Sequence, residues 1–495
     1  MSPSPLFRYL LIAALLLAGP VACTTNAATG EQSFTAFMSE EQEREVGAEE
    51  HPKMLTQFGG KYSDAELQAY VERLGQKLVK QSEYADRKFQ FFVLNDDTVN
   101  AFALPGGYVY VSRGLIALCE DEAELAGVIG HEIGHVTARH SAQRYSASVA
   151  ANIGMVAISV LGSVVGAPAG TGDLLGFGAS AALQTYSRSQ EMEADRLGAR
   201  YMTAAGYDPK ALTDFFTKLD IQTGIEAAKA NRPKDQFSVM STHPRTADRI
   251  EQARQLAQQK KVANPVRNRQ ALLTQIDGLL FGKDPAEGFM VGDAFIHRPL
   301  GIYFEFPPGF MVTNGKTAVV GDNQAGTEII FRGEGDKDAL RISDMRAYIA
   351  QHWAKKLGVN VDKVDALTVN GLNAATAATS TTTKDGRRDI RLVAIRTAPD
   401  HIYRFIFITE PKVTEQMSVP LRRITYSFRK LQQGEYANYS PPHVRVVTVK
   451  SGDTPSALAA SMPLKPYNDE WFKALNQNVV GDGLAAGEKV KIVTN

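Results

Sequence analysis

The chain has 495 residues, and its 54 basic and 54 acidic side chains balance without forming a basic stripe. That balance argues against nucleic acid or an anionic surface as the main partner. The length suggests about three domains, and with two cysteines, Cys23 and Cys119, stability has to come from apolar cores rather than a disulfide framework.

The first 26 residues, "MSPSPLFRYLLIAALLLAGPVACTTN", hold one cation, Arg8, an apolar run from Leu10 to Ala18, and small residues before Cys23. This is a secretory signal over residues 1–22, too short to span a bilayer comfortably. "GPVAC" looks like a lipoprotein box, which would make Cys23 the acylated first residue of the exported chain. Pro20 stands where that pattern has an aliphatic residue, so cleavage after "PVA" is the alternative. Thr24 is not the aspartate of an inner-membrane retention signal. The expected location is therefore the periplasm, with a lipid anchor in the outer membrane. Cys119 follows the apolar "LIAL" and is expected to be buried.

"KFQFFVLNDDTVNAFALPGGYVYV" reads as short strands joined by turns. The next segment, "CEDEAELAGVIGHEIGHVTARHSAQRY", has acids in its first turn, apolar Leu125, Val128 and Ile129 at helical spacing, and no proline. On that helix His131 and His135 lie about 40° apart on one face and can present nitrogens to one ion. Glu132 sits one residue round, in the general-base position of the H-E-x-x-H pattern. A third histidine, His140, does not fit as a ligand. The extended pattern wants Gly at 138 and His at 141, where this chain has Ala138 and Ser141. A continuing helix would carry His140 about 140° away from His135.

A catalytic zinc keeps three protein ligands and one open position, so the third ligand should come from another element. "SRSQEMEADRLGARYM" supplies Glu191 and Asp195, four apart on a second helix. One can ligate while the other accepts a hydrogen bond from a ligating imidazole, and Glu193 is expected to point elsewhere. An ordinary charged helix with solvated pairs is the plain alternative.

HEIGH followed by S-R-x-x-E-x-x-A-D resembles the HtpX/BepA-like zinc metallopeptidases, the group that includes the CaaX prenyl proteases. The likeness covers roughly residues 35–260, with "NAFALPGGYVYVSRGLI" upstream and "STHPRTADRI" downstream. It implies that Glu191 is the glutamate ligand and Asp195 the aspartate that orients an imidazole. It also implies a role for His243, either as a fourth ligand that holds the enzyme latent or as an aid to the transition state. In zincin-like proteases an edge strand beside the metal pairs with extended substrate, a place "GGYVYV" can fill; a purely structural strand is the other reading.

Residues 145–172 carry no charge. A single span there would put His135 and Glu191 on opposite sides of a bilayer, so packed helices and a Gly-rich loop over the cleft are expected instead. Residues 261–290 read as a linker helix. Aromatic-rich strands around the helix "DALRISDMRAYIAQHWAKKLG" make residues 291–432 an accessory α+β domain, with His297, His352 and His401 structural. Residues 444–493 read strand, helix, helix, strand. Their "VKSGDT", "ALNQN" and "GEKVKIV" resemble a LysM module, which implies binding to peptidoglycan; Pro455 replaces the usual leucine after G-D-T.

The expectation is thus an α+β chain. A mainly helical, zincin-like (gluzincin) peptidase domain with a small antiparallel sheet is followed by the accessory domain and a βααβ LysM-like tail. Its cofactor is Zn2+, held by His131, His135 and Glu191, with Glu132, Asp195 and His243 in the chemistry. The expected substrates are unfolded, misfolded or misassembled envelope proteins. The rival reading is a cell-wall-binding, chaperone-like scaffold whose zinc site is structural or latent; Glu132 counts against it, because a structural site has no need of a base.

Overall fold

Acidic first turns and capping residues set where the helices around the H-E-x-x-H motif begin. In the computed structural model, Asp121 accepts from the Glu124 N–H to start the helix Glu122–Thr137, and Ser187 forms a capping box with Gln190 to start Arg188–Ala204. Residues 23–162, 185–230, 233, 234, 243, 247–259, 262–315, 317–384 and 386–495 are described. Residues 1–22, which carry the signal reading, and 163–184, which carry the Gly-rich loop reading, lie outside them.

The two helices pack closely because glycines line their seam. A Cβ added at Gly198 would lie 2.7 Å from the His131 nitrogen, and one at Gly134 would lie 3.0 Å from the Ala194 carbonyl oxygen. Leu125, Ile129 and Ile133 fill the opposite side and are fully buried. The seam thus brings the 188–204 helix within side-chain reach of the H-E-x-x-H face.

Beside the motif helix lies a three-stranded sheet in the order Gln90–Leu94, Tyr108–Ser112, Ala101–Leu104. The first pair is parallel and the second antiparallel, so the sheet is mixed, not antiparallel as expected. Tyr108–Ser112 is its central strand, with both edges paired. The proposed edge role of "GGYVYV" is therefore corrected: Gln90–Leu94 and Ala101–Leu104 are the outer strands of this sheet. Cys119 is buried, as its apolar neighbours suggested.

The chain divides into two units, Met1–Phe281 with Val444–Thr494, and Gly282–His443. This corrects the linear domain order. Helix Arg269–Ile276 is no linker, since Leu272, Leu273 and Ile276 join the same apolar cluster as Leu125 and Ile129. The tail joins it too, through Trp471, Phe472, Leu475, Val479, Val490 and Val493. Backbone bonds from Gly278 N to Val444 O and from Val444 N to Leu279 O, both 2.8 Å, bring Leu279 and Val444 side by side. The accessory domain is thus an insertion into the first unit. The tail has the strands His443–Thr448 and Lys489–Thr494 paired around helices Pro455–Ala460, Asn468–Leu475 and Gln477–Asp482. Pro455 occupies the first helical turn after the Thr454 cap, where its missing N–H costs nothing.

The second unit holds a seven-stranded sheet with Gly386–Ala398 and His401–Thr409 near its centre, and a four-stranded sheet that includes Ile302–Glu305. Helix Thr414–Ser427 buries Leu421 and Ile424 in one apolar cluster, while Tyr348, Ile349 and Trp353 bury in another. Mixed helix and sheet in both units fits the expected α+β class. Among the described residues no helix is long and apolar enough to cross a membrane.

Candidate metal centre

Two helical turns of the motif helix and one of Arg188–Ala204 place His131, His135 and Glu191 around one point, and His243 completes the group. All four are buried, and one donor atom from each lies within 4.8 Å of the others. His131 Nε2 is 3.0 Å from His135 Nε2 and 3.3 Å from His243 Nδ1. Glu191 places Oε1 3.5 Å from His135 Nε2 and 2.8 Å from His243 Nδ1, and Oε2 3.6 Å from His131 Nε2. A tetrahedral zinc with bonds of about 2.0–2.1 Å sets its ligand atoms roughly 3.3–3.4 Å apart. The donor set therefore fits zinc in both chemistry and spacing.

The ligands are held from behind. His131 Nδ1 lies 2.8 Å from Asp195 Oδ1, which fixes the ring with Nε2 toward the cluster. Asp195 in turn accepts from Arg249 Nε and Nη2 at 2.7 and 2.8 Å, and Arg249 Nη1 lies 2.6 Å from Glu191 Oε2. Burial opposes charge on Asp195, but Arg249 and His131 outweigh it and hold the carboxyl below its usual range. Burial likewise opposes charge on Glu191, and His243, His135 and His131 hold that carboxyl far down. Burial pushes His135 well below the usual imidazole range, toward the neutral form that a metal requires.

Glu132 is fully buried, and among the described residues neither carboxylate oxygen has a hydrogen-bond partner; His243 Nε2 lies 3.4 Å from Oε1. Burial raises its pKa, against the pull of His243 and His131.

One sequence expectation is corrected here. The helix does not run on to His140: it ends at Thr137, and Arg139 turns left-handed at φ 59° before a new helix, His140–Gly162. The break swings His140 back, so its Nδ1 lies 2.8 Å from His135 Nδ1. His140 is outside the donor set, as expected, yet it bears on a ligand. Glu193 is outside the donor set too, as expected, and bonds His140 Nε2 at 3.0 Å. The turn is anchored by Arg139 Nε to Glu43 Oε2 at 2.8 Å and by Asn26 Nδ2 to the Thr137 carbonyl at 3.0 Å. Burial pushes the Glu43 carboxyl up to about 7 in spite of Arg139.

Tyr186 stacks on His135 with ring centroids 3.8 Å apart, and the Arg144 guanidinium lies 3.9 Å from the Tyr186 centroid. Leu104, Pro105, His135, Arg139, Ser141 and Tyr186 line a small cavity at the end of the edge strand. The structure thus gathers His131, His135, Glu191 and His243, with Glu132 and Asp195 against them. Sequence reasoning missed Arg249, Tyr186 and the His140–Glu193 pair. Arg249 stood in the quoted "STHPRTADRI", six residues after His243, but nothing in its spacing marks it as the partner of Asp195.

An H-E-x-x-H helix crossed by a glutamate-bearing helix, with a buried carboxylate beside the donors, has the arrangement of a zinc metallopeptidase site. Residues 65–257 match the model of Peptidase family M48. The chain is 35% identical over 207 residues to the putative beta-barrel assembly-enhancing protease of Vibrio cholerae and 33% over 206 to the beta-barrel assembly-enhancing protease of Escherichia coli K12. Each match covers 40% of this chain and 40% of the relative. It is 32% identical over 221 residues to the mitochondrial metalloendopeptidase OMA1 of Schizosaccharomyces pombe, covering 44% of this chain and 59% of that one. The chain thus spans well under two thirds of these curated relatives.

Proposed function

We propose that the protein is a zinc metalloendopeptidase of the bacterial periplasm that cleaves misfolded or misassembled envelope proteins. The observation that carries this reading is Glu132, a fully buried carboxylate without a hydrogen-bond partner beside a four-donor cluster. A cell-wall scaffold with a structural zinc would draw on the same donors but has no use for such a group.

His131, His135 and Glu191 hold the ion, and Asp195 with Arg249 fixes the first imidazole. Zinc, when bound, supplies Lewis-acid polarisation of a scissile carbonyl and of the attacking water. Glu132 takes a proton from that water and returns it to the leaving amine; its raised pKa suits a group that must both accept and release. Ala101–Leu104, an outer strand beside His135, is where extended substrate would pair. His243 would supply a fourth donor to the ion, which would hold the enzyme latent until His243 withdraws.

The names of the bacterial relatives, beta-barrel assembly-enhancing proteases, support outer-membrane protein assembly as the setting. The lipoprotein box supports anchoring at Cys23. Cys23–Thr25 pairs directly with Gln32–Phe34. The likeness of the tail to glycan-binding modules supports peptidoglycan as a second partner. Glu132→Gln expressed in native envelopes should trap uncut envelope proteins that mass spectrometry identifies; a variant that retains zinc and still cleaves would overturn the reading.

A further inference from the structure

A second buried charged cluster lies at the other end of the motif helix, and half of it comes from the C-terminal segment. Lys491 is fully buried, and its ammonium donates to the carbonyls of Ala117, Leu118 and Cys119 at 2.7, 3.2 and 2.6 Å. These are the open carbonyls at the end of helix Arg113–Leu118, and three of them use all three ammonium donors. Asn476 brackets the same lysine. Its Nδ2 donates to Lys491 O at 2.8 Å, and its Oδ1 accepts from Lys491 N at 2.7 Å.

Two residues further on, Asn478 grips the acids that open the motif helix. Its backbone N–H donates to Glu120 Oε2 at 2.8 Å and its Nδ2 to Glu124 Oε1 at 2.9 Å. Lys218 bridges the same two carboxylates, 2.8 Å from Glu120 and also bonded to Glu124, and Glu124 Oε2 accepts from the Glu120 N–H at 2.8 Å. The short junction between the two helices is therefore held by the tail on both sides. Glu124 and His131 are seven residues apart, which puts them on one face of a rigid helix about 10 Å apart. A shift or rotation at Glu124 is carried to the imidazoles.

We propose that the C-terminal segment is a positioning element of the metal centre, in which Asn478 and Lys491 fix the start of the helix that bears His131, Glu132 and His135. The segment is remote in sequence from the motif but belongs to the same core, as Trp471, Leu475 and Val490 pack in one cluster with Leu125 and Ile129. Only the activity arm of the test rests on the metallopeptidase reading.

The test uses full-length Lys491→Met and Asn478→Ala, the latter leaving the apolar packing of the tail intact. In the metal-free protein, amides of residues 122–137 should exchange at least about 10-fold faster than in the wild type, while those of Ala65–Val79 change less than twofold. In cobalt-substituted protein the visible ligand-field bands should shift. On a fluorogenic peptide, kcat should fall about 10-fold with KM within twofold. If the melting temperature drops while the cobalt spectrum and the 122–137 exchange stay as in the wild type, the tail is a stabiliser only and the proposal fails. If Lys491→Met does not fold, Asn478→Ala decides on the same readouts. A wild type that binds metal but cuts nothing would remove the peptidase reading and leave the exchange and cobalt arms to decide this one.

Discussion

The helix Glu122–Thr137 has a buried charged cluster near each end, and the two follow opposite rules. At its start, Lys218, Lys491 and Asn478 surround Glu120 and Glu124, and both carboxylates are hydrogen-bonded. Further along, Glu132 is as deeply buried, but among the described residues neither of its oxygens has a hydrogen-bond partner, and only the His243 imidazole stands 3.4 Å from Oε1. Burying an unpaired carboxylate is costly, whereas a paired one can hold a fold together. The contrast teaches that, on one helix, partnered charge marks architecture and unpartnered charge beside metal donors marks chemistry.

The widest separation of the two clusters should appear in activity. Glu132→Gln should lower kcat/KM on a fluorogenic peptide by on the order of 10²–10⁴-fold, with one zinc per chain retained by metal analysis. Stability should separate them with opposite signs. Glu124→Gln takes a partner from buried Lys218 and should cost about 3–5 kcal/mol in denaturant unfolding of the metal-free protein, while Glu132→Gln should be neutral or stabilising. Equal losses from both would break the comparison.

Glu43 gives a pH test of the anchor behind His140. Its folded pKa is raised to about 7 by burial, so the folded state binds the proton more tightly than the unfolded state does. Its contribution is present in full below the unfolded value near 4.5 and is lost as pH rises through 7. Metal-free protein should lose on the order of 2–3 kcal/mol across that window, and Glu43→Gln should flatten the slope. Next in size, His243→Ala should raise basal proteolysis about 10-fold with zinc retained, equivalent to about 1.4 kcal/mol; a fall at unchanged metal content would make His243 a catalytic aid. The smallest effect should follow excision of residues 282–443 with a short Gly-Ser joint between Phe281 and Val444. The melting temperature should move by only a few degrees, because Leu279 and Val444 already exchange backbone bonds.

The H-E-x-x-H pair was legible because i and i+4 spacing is local, and Cys119 because apolar neighbours predict burial. Glu191 and Asp195 could be found as a pair from the chemistry a zinc site demands, but only resemblance divided their roles. His140 was misplaced because the helix breaks at Arg139, a non-glycine residue at positive φ, which no local signal announces. The rank of the strands was hidden, since an apolar run such as "YVYV" reads alike at the centre and at the edge of a sheet. The inserted domain was hidden for a related reason. The bonds that fold the tail onto the motif helix join residues more than 350 positions apart, as between Asn478 and Glu120.

The central claim is that a glutamate from a second helix closes a zinc site begun by HEIGH. X-ray absorption at the zinc edge of purified full-length protein tests it most directly. The account predicts one zinc per chain with three imidazole nitrogens and one carboxylate oxygen at about 2.0–2.2 Å. An absence of zinc, a sulfur ligand, or a shell without a carboxylate would contradict it.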